Sequence, residues 1–558
     1  MTRMRTLGFG ALTGVAAAGA ALGVAEPVAA AVGRGSSPVV AVGLAFIDLV
    51  PRPIKDFGIE TFGQNDKVAL LAGVFVILAV FAVVCGVVSL RHRLLGAAGV
   101  ALFGVAGVVA AVTRPGAGPV ASLPALVGAA IGVGVLLFLA PRAAAVVSAQ
   151  PPAGSPKPEI PAEPTPDDER TSGRADAMRT DEGASGAADA MRTKTPNGVT
   201  ATSRRRFLSL AGSALVVSAG LGVAGRYLSS LRDVAAERLK LALPAAADPA
   251  PPLPAGVDLK LPDLTPFVTP EKDFYRVDTA LAVPQLSTDE YRLKIHGRVR
   301  SPMTLTYQDL LDRELVERVI TLSCVSNEVG GTLAGTARWL GVPLKALLDE
   351  VQPEGGADQI VTRSVDGWTC GTPTSVVRDG RDALIVVGMN GKPLPIERGY
   401  PVRMLVPGLY GYVSATKWLV DIELTSFSDF DPYWVKRGWK AQAPIKTFSR
   451  IDTPRPLANS KAGTVTVAGV AWAQHRGVER VEVRVDGGEW NVATLAPVPS
   501  ADTWRQWRWD WDATKVAPGQ HTLAVRATDR TGATQPEQRA KPFPDGATGW
   551  HSVVVTVE

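Results

Sequence analysis

The chain has 558 residues and a formal net charge of +5, so it is long enough for several domains and a sizeable core. Its basic residues are scattered or flank apolar segments, which favours membrane contact and argues against nucleic-acid binding. The three cysteines, Cys85, Cys324 and Cys370, form neither a disulfide scaffold nor a spaced zinc or iron–sulfur site.

Residues 1–146 consist largely of runs of Ala, Val, Leu and Gly. Because about 20 apolar residues cross a bilayer, we expect an all-α transmembrane domain with about four helices. We place them near 8–32, 67–90, 94–113 and 120–141. The basic start of the first helix and the small residues near Ala30 also fit a cleaved signal peptide, so cleavage stays open. We expect the mixed loop after this helix to lie along the membrane surface.

Residues 147–202 are rich in Pro, Ala, Gly and acidic residues and contain ADAMRT twice, at 175–180 and 188–193. Such a composition buries too little apolar surface to fold alone and predicts a disordered linker. The repeat has two interpretations, a docking motif or slippage in a low-complexity tract.

Residues 203–228, SRRRFLSLAGSALVVSAGLGVAGRYL, join a basic cluster to a modest apolar run. They resemble a twin-arginine export signal placed internally, and they also predict a fifth transmembrane helix. The basic flanks at Arg3, Arg91 and Arg204 indicate the inner side of the membrane. Five crossings therefore predict a multi-pass cell-membrane protein whose chain beyond about Ser229 is extracytoplasmic.

The remaining sequence changes character twice. The Pro- and Ala-rich composition of 229–272 predicts a tether. From about Ile451 the sequence alternates apolar and polar residues in several runs, and a turn at Asp486-Gly487-Gly488 separates two of them. This pattern predicts an antiparallel β-sandwich of immunoglobulin type.

A short apolar run beginning at Val319 predicts a buried strand that ends at Cys324. The following Gly330-Gly331 pair predicts a close approach of the backbone to a large ligand. Two other interpretations of the cysteine stay open at this point. It is typical of a small buried hydrophobe, and an oxidising compartment would permit a Cys324–Cys370 disulfide.

The stretch from Val319 to Leu344 resembles the molybdenum-cofactor domain of the sulfite oxidase family, in which a strand-end cysteine followed by Asn and Gly supplies a thiolate to molybdenum. The segment ARWLGVPL continues the similarity, and MNGKPLPIERGYPVRMLVPGLYG with Lys417-Trp418 is similar to the family's second cofactor-binding segment. The resemblance covers roughly 273–558. It implies an α+β molybdenum-cofactor domain of sulfite oxidase type at 273–445. An all-β immunoglobulin-like sandwich follows at 450–558, which in such enzymes often makes the dimer contact.

The resemblance also implies the site. Cys324 would be the molybdenum ligand, and Arg403 and Lys417 match positions that hold the pterin phosphate. A soft thiolate suits a heavy transition metal, and Arg and Lys suit a phosphate anion. The other implied site residues are Asn327 beside the cofactor, Arg276 near the metal, and Asp366 and Tyr433 along the site. Arg276 is equally typical of a surface salt bridge.

The implied reaction is molybdopterin-dependent oxygen-atom transfer, but the pattern departs from the family. Glu328 stands where the family has Arg, Arg276-Val277-Asp278 where it has Arg-Asn-His, and Arg398 where it has His. Fewer cations and more carboxylates near the metal would weaken capture of sulfite. A sulfoxide or N-oxide reductase on the same scaffold is therefore the alternative. A second alternative is a non-catalytic cell-surface binding protein.

The expected partners follow from these interpretations. The substrate would be a small oxyanion or an S- or N-oxide, and the helices would contact membrane lipid. His92 is the lone histidine of the membrane region and cannot supply two axial ligands, so no haem is evident. We expect a separate electron-transfer partner, a cytochrome or a quinone, and by analogy a homodimer. No nucleic-acid partner is expected.

Overall fold

The computed structural model describes most of the chain in two compact units. The described residues are 2–32, 36–51, 54, 57, 61, 66–114, 118–148, 197–231 and 234–558. Nearly all of the linker predicted at 147–202, with its ADAMRT repeat, lies outside them. One unit consists mainly of residues up to Tyr227 and the other mainly of residues from Leu228 onward.

The first unit is helical. Its helices are α1 (Thr2–Val32), α2 (Pro38–Leu49), α3 (Asp66–Ser89), α4 (Arg93–Val112), α5 (Leu123–Ser148) and α6 (Asn197–Leu231). By length and composition, five apolar segments of the described chain are able to cross a membrane. They are Met4–Val32, Ala69–Ser89, Arg93–Val112, Pro119–Ser148 and Ser203–Gly225. Each overlaps a helix that the sequence predicts.

Helix α2 departs from the sequence prediction, which placed a mixed surface loop after the first helix. Its 12 residues, PVVAVGLAFIDL, are almost entirely apolar, and Pro38 lies at the first turn, where a proline is well tolerated. The helix ends at Leu49, before Pro51. The local apolar run therefore forms a short helix of its own.

Glycines bring α1 and α3 into backbone contact. A Cβ atom on Gly14 would lie 1.8 Å from the carbonyl oxygen of Ala82, and one on Gly86 would lie 2.1 Å from that of Gly10. Small residues at such crossings are typical of membrane helix pairs, because close approach maximises van der Waals contact.

The second unit begins with an α+β domain that contains two sheets, as the resemblance implies. Its helices are α7 (Val234–Lys240), α8 (Tyr307–Leu311), α9 (Leu344–Val351) and α10 (Thr374–Val377). Its strands are β1 (Arg292–Gly297), β2 (Met303–Thr306), β3 (Val316–Ser323), β4 (Ala334–Pro343), β5 (Gln359–Ser364), β6 (Thr369–Pro373), β7 (Leu384–Met389), β8 (Lys392–Pro393), β9 (Arg403–Leu405) and β10 (Leu419–Thr425). One sheet has the order β2-β1-β10-β5-β6, with β1 and β10 parallel. The other has the order β3-β4-β7-β8, and β9 pairs with β7.

The segment 229–272, predicted as a tether, contacts this domain through several of its described residues. Arg238 Nη2 in α7 donates to the carbonyl oxygen of Pro393 at 2.7 Å. Leu241 and Leu243 pack against the core. Composition alone suggested a linker, but these apolar side chains bury against the sheets.

An all-β sandwich completes the second unit, in agreement with the sequence. Its strands are β11 (Phe448–Thr453), β12 (Asn459–Ser460), β13 (Thr464–Trp472), β14 (Val478–Val485), β15 (Asn491–Val492), β16 (Thr494–Leu495), β17 (Arg505–Asp512), β18 (Gly519–Asp529) and β19 (His551–Val557). They form sheets of order β11-β13-β17-β16 and β12-β19-β18-β14-β15. Alternate residues of both sheets, including Val467, Trp507 and Val525, are fully buried between them.

The sandwich domain also covers strand β3. Because β3 is an edge strand of its sheet, its outer backbone groups need partners. The Thr321 N–H donates to the carbonyl oxygen of Asp502 at 2.9 Å, and Gln474 Nε2 donates to the Thr321 carbonyl oxygen at 3.1 Å. The strand that leads to Cys324 is therefore held from both sides.

Candidate molybdenum-cofactor site

Cys324 begins a closed loop directly after β3. Its N–H donates to the carbonyl oxygen of Leu333 at 2.9 Å, and the Leu333 N–H donates to Asn327 Oδ1 at 2.8 Å. The Ser326 N–H lies 3.4 Å from Cys324 Sγ and donates to it. Such a donor stabilises a thiolate. The three hydrogen bonds together fix the position of the sulfur.

The glycine pair of this loop makes room for the sandwich domain instead of for a ligand. Gly330 has φ +82°, and a Cβ atom there would lie 2.4 Å from the His551 ring. The Gly331 carbonyl oxygen accepts a hydrogen bond from Arg450 Nη1 at 2.7 Å. The close approach predicted from the sequence therefore exists, but its partner is protein.

A cleft with an empty volume of about 980 Å³ opens beside Cys324. Four residues that the resemblance implied line it together: Cys324, Asp366, Arg403 and Lys417. Two further lining residues, Asp278 and Arg398, are positions where the sequence departs from the family. The cleft thus combines one thiol, three cations and two carboxylates.

Arg398 and Arg403 form the cationic end of the cleft. Arg398 Nη1 donates to the Tyr275 carbonyl oxygen at 2.9 Å, and its Nη2 donates to that of Phe274. Arg403 Nη1 donates to the Arg398 carbonyl oxygen at 3.2 Å. The buried Nε of Arg403 has no hydrogen-bond partner among the described residues. Burial lowers the pKa of Arg403 to about 10.

Lys417 is paired with a buried carboxylate. Its Nζ lies 2.5 Å from Asp278 Oδ2, and the two side chains are only 11% and 5% exposed. Arg276 Nε lies 2.9 Å from the same oxygen. Burial lowers the pKa of Lys417 to about 8, although Asp278 opposes this change. Arg276 does not line the cleft, but it forms an ion pair with Asp278, which does.

Three positions differ from what the sequence implied. Asn327 is buried and closes the cysteine loop, so it does not line the cleft. Tyr433 also lies outside the lining; the guanidinium of Arg437 stacks on its ring at 3.5 Å. Glu328 is exposed to solvent and does not line the cleft, whereas the sequence suggested a carboxylate near the metal.

Sequence reasoning missed the aromatic side chains of the cleft. Tyr275 lies beside the cationic end, where burial and the charge of Cys324 raise its pKa. Tyr412, Trp434 and Trp439, which we call the aromatic wall, line another part. Ring centroids are 5.7 Å apart between Tyr412 and Trp439 and 6.2 Å apart between Trp434 and Trp439. The sequence signal for this wall was the close spacing of Trp434 and Trp439 outside any strand pattern.

The residues present fit a molybdenum–pterin group. The Cys324 thiol is a soft ligand that suits molybdenum. A buried guanidinium with an unused Nε donor, as at Arg403, would be stabilised by an anion such as phosphate. All three cysteines are free thiols, and Cys370 is fully buried. The disulfide that the sequence left open is therefore not formed.

Comparison with known proteins agrees with this fit. Residues 280–434 match the family described as "Oxidoreductase molybdopterin binding domain", and residues 449–525 match "Bacterial Ig domain". Mitochondrial sulfite oxidase of Homo sapiens is 29% identical over 322 residues, which cover 49% of this chain and 58% of that protein. NADH nitrate reductase of Solanum lycopersicum is 28% identical over 334 residues, covering 49% and 36% respectively. The crystal structure of the sulfane dehydrogenase SoxCD from Paracoccus pantotrophus covers 52% of this chain and 84% of that chain, with a TM-score of 0.46 and 22% identity.

The fold and the cleft therefore define a molybdopterin-binding oxidoreductase. Its second unit is similar to proteins of the sulfite oxidase family and carries a bacterial Ig domain after the molybdopterin-binding domain. The chain spans a little over half the length of the human relative.

Proposed function

We propose that the chain is a membrane-anchored, molybdopterin-dependent oxidoreductase that transfers an oxygen atom to or from a small substrate. The observation that carries this proposal is the Cys324 thiol, which faces a cleft together with three largely buried cations. Sulfite and nitrate, the oxyanions in the names of its relatives, represent one substrate class. Sulfoxides and N-oxides represent the other.

Each residue of the cleft has a distinct role in this proposal. Cys324 would ligate molybdenum, and Arg398, Arg403 and Lys417 would hold the pterin phosphate. When bound, the group supplies two-electron oxygen-atom-transfer chemistry. Asp278 orients Lys417 through its 2.5 Å ion pair. Asn327 does not line the cleft but holds the cysteine loop closed. Arg276 forms an ion pair with Asp278 and so helps to position that carboxylate.

The membrane arrangement belongs to the same proposal. The five apolar segments and the basic flanks at Arg3, Arg91 and Arg204 support five crossings with the cofactor domain on the extracytoplasmic side. The twin arginines Arg204 and Arg205 would direct export of the folded protein. Electrons would then pass between the cleft and a separate cytochrome or quinone. A homodimer through the sandwich domain is part of the proposal by analogy.

The alternative of a non-catalytic binding protein is less well supported. Burying the Arg403 guanidinium with an unpaired Nε is energetically unfavourable without a ligand, and a scaffold with no cofactor gains nothing from its charge. Its burial in the same cleft as the Cys324 thiol supports a ligand-binding role.

Oxygen-atom transfer by the purified full-length protein tests the proposal. The holoprotein should oxidise sulfite with ferricyanide as acceptor, or reduce a sulfoxide or N-oxide with a reduced viologen dye. The Cys324→Ser variant should be inactive in both assays while it keeps its circular dichroism spectrum. Equal activity of the variant would contradict the proposal.

A further inference from the structure

The aromatic wall is held rigidly by both domains of the second unit. The Tyr412 hydroxyl donates to the Lys440 carbonyl oxygen at 2.7 Å. Trp439 packs edge-on against Phe543 of the sandwich domain, with ring centroids 5.4 Å apart. The adjacent Lys440 N–H donates to the Pro544 carbonyl oxygen at 3.1 Å. Rings fixed in this way present a preformed apolar surface to the cleft, with little entropy left to lose when a ligand binds.

The hydrogen-bond donors of the cationic side chains in the cleft are largely in use. Lys417 is paired with Asp278 and assigned to the cofactor phosphate, and both Nη atoms of Arg398 already donate to backbone carbonyls. The free Nε of Arg403 is needed for the phosphate of the cofactor. An additional dianion would also meet the carboxylate of Asp366. Like charges repel strongly in a poorly solvated cleft, so this carboxylate and the small number of free donors favour a neutral substrate over a second anion.

From the rigid wall and the small number of free donors we propose that the substrate is a neutral S- or N-oxide that carries an aromatic ring, which stacks on the aromatic wall. This inference deepens the proposed function and rests on it. In the reaction the S–O or N–O bond breaks, and sulfur or nitrogen gains two electrons. The oxygen leaves as water with two protons. The electrons come from an external one-electron carrier, which a reduced viologen dye replaces in the assay.

The test compares aromatic and methyl substrates on the full-length holoprotein after its molybdenum content has been measured. The pairs are methyl phenyl sulfoxide with dimethyl sulfoxide, and pyridine N-oxide with trimethylamine N-oxide. Sulfite oxidation is measured beside them. The Trp434→Leu variant removes one ring of the wall, and Trp434→Phe restores a ring. Trp490→Leu is the matched control, because Trp490 lies in the sandwich domain and does not line the cleft.

We expect kcat/KM to favour the aromatic member of at least one pair over its methyl partner and over sulfite. Trp434→Leu should reduce that preference roughly two- to tenfold, the effect of one aromatic contact, whereas Trp434→Phe and Trp490→Leu should largely retain it. The two pairs distinguish an S-oxide from an N-oxide. A second readout is independent of turnover. Methyl phenyl sulfone, titrated into Cys324→Ser protein by calorimetry, should bind more weakly by a similar factor when Trp434 is also Leu.

The outcomes separate the two proposals. Two results would overturn the inference and leave the proposed function standing. One is a molybdenum-containing protein that prefers sulfite. The other is a Trp434→Leu variant that slows turnover of every substrate equally. Sulfone binding that does not change in Trp434→Leu would also overturn the inference. Protein that folds without molybdenum would overturn both.

Discussion

Replacing Arg403 by Met should raise the free energy of unfolding of the cofactor-free protein. In the holoprotein the same change should weaken retention of the cofactor. Burial lowers the pKa of Arg403 to about 10. Below pH 10 the folded protein therefore carries a guanidinium whose charge costs about 3 kcal/mol relative to an exposed arginine. Methionine keeps apolar bulk near Trp339, over whose ring the guanidinium now lies at 5.3 Å, and removes the charge.

The expected magnitude follows from these contacts. The substitution also removes the hydrogen bond from the charged Nη1 to the Arg398 carbonyl oxygen, which is long at 3.2 Å and worth about 1.5 kcal/mol. We therefore expect the cofactor-free variant to gain about 1.5 kcal/mol in free energy of unfolding at pH 7. In the holoprotein one or more charge-assisted hydrogen bonds to phosphate would be lost, each worth about 1.5–3 kcal/mol. Cofactor retention should then fall about tenfold to a hundredfold.

Urea unfolding followed by tryptophan fluorescence measures the first quantity, and pterin retained after gel filtration measures the second. Arg508→Met is the control, because Arg508 is a half-exposed side chain of the sandwich domain that pairs with Asp510. It should change neither quantity by more than about 0.5 kcal/mol. A cofactor-free Arg403→Met protein that is less stable than wild type and still retains the cofactor normally would refute this reasoning, since Arg403 would then be purely structural.

Three further predictions follow from the same structure. Because burial lowers the pKa of Lys417 to about 8, its charge is present below that pH and lost above it. Pterin retention should therefore fall between pH 7 and pH 9. Lys417→Arg, which stays charged, should remove this pH dependence. Glu328→Arg should leave kcat/KM for sulfite unchanged, because the side chain is exposed outside the cleft, and a severalfold gain would place it inside. Exchanging Arg204 and Arg205 for Lys should keep the cofactor domain in the cytoplasm, where protease added to spheroplasts cannot reach it; digestion of the variant to the same extent as wild type would count against export by this motif.

The sequence was most informative where local pattern decides structure. Apolar runs of about 20 residues identified the five membrane-length helices. The strand before Cys324 followed from its apolar run. The cavity positions of Arg403 and Lys417 followed from the family resemblance, since short motifs in order constrain the same fold. The sandwich followed from period-two alternation.

It was least informative where long-range contacts decide the direction of a side chain. Glu328 follows Asn327 directly, yet the bond from the Leu333 N–H to Asn327 Oδ1 closes the loop and leaves Glu328 in solvent. The cationic role of Arg398 depends on carbonyl groups more than 100 positions earlier in the chain. The aromatic wall depends on Phe543 of the other domain. No local pattern carries such information.

The molybdenum content of three matched full-length proteins tests the central claim most directly. Wild type, Cys324→Ser and Cys370→Ser are each produced with cofactor synthesis and analysed for metal per chain. Cys370 is the control, because it is a fully buried thiol that does not line the cleft. We predict about one molybdenum per chain in wild type and Cys370→Ser, and a large loss in a folded Cys324→Ser protein. A folded Cys324→Ser protein with undiminished molybdenum, or a wild-type protein without it, would contradict the assignment of Cys324 as the molybdenum ligand.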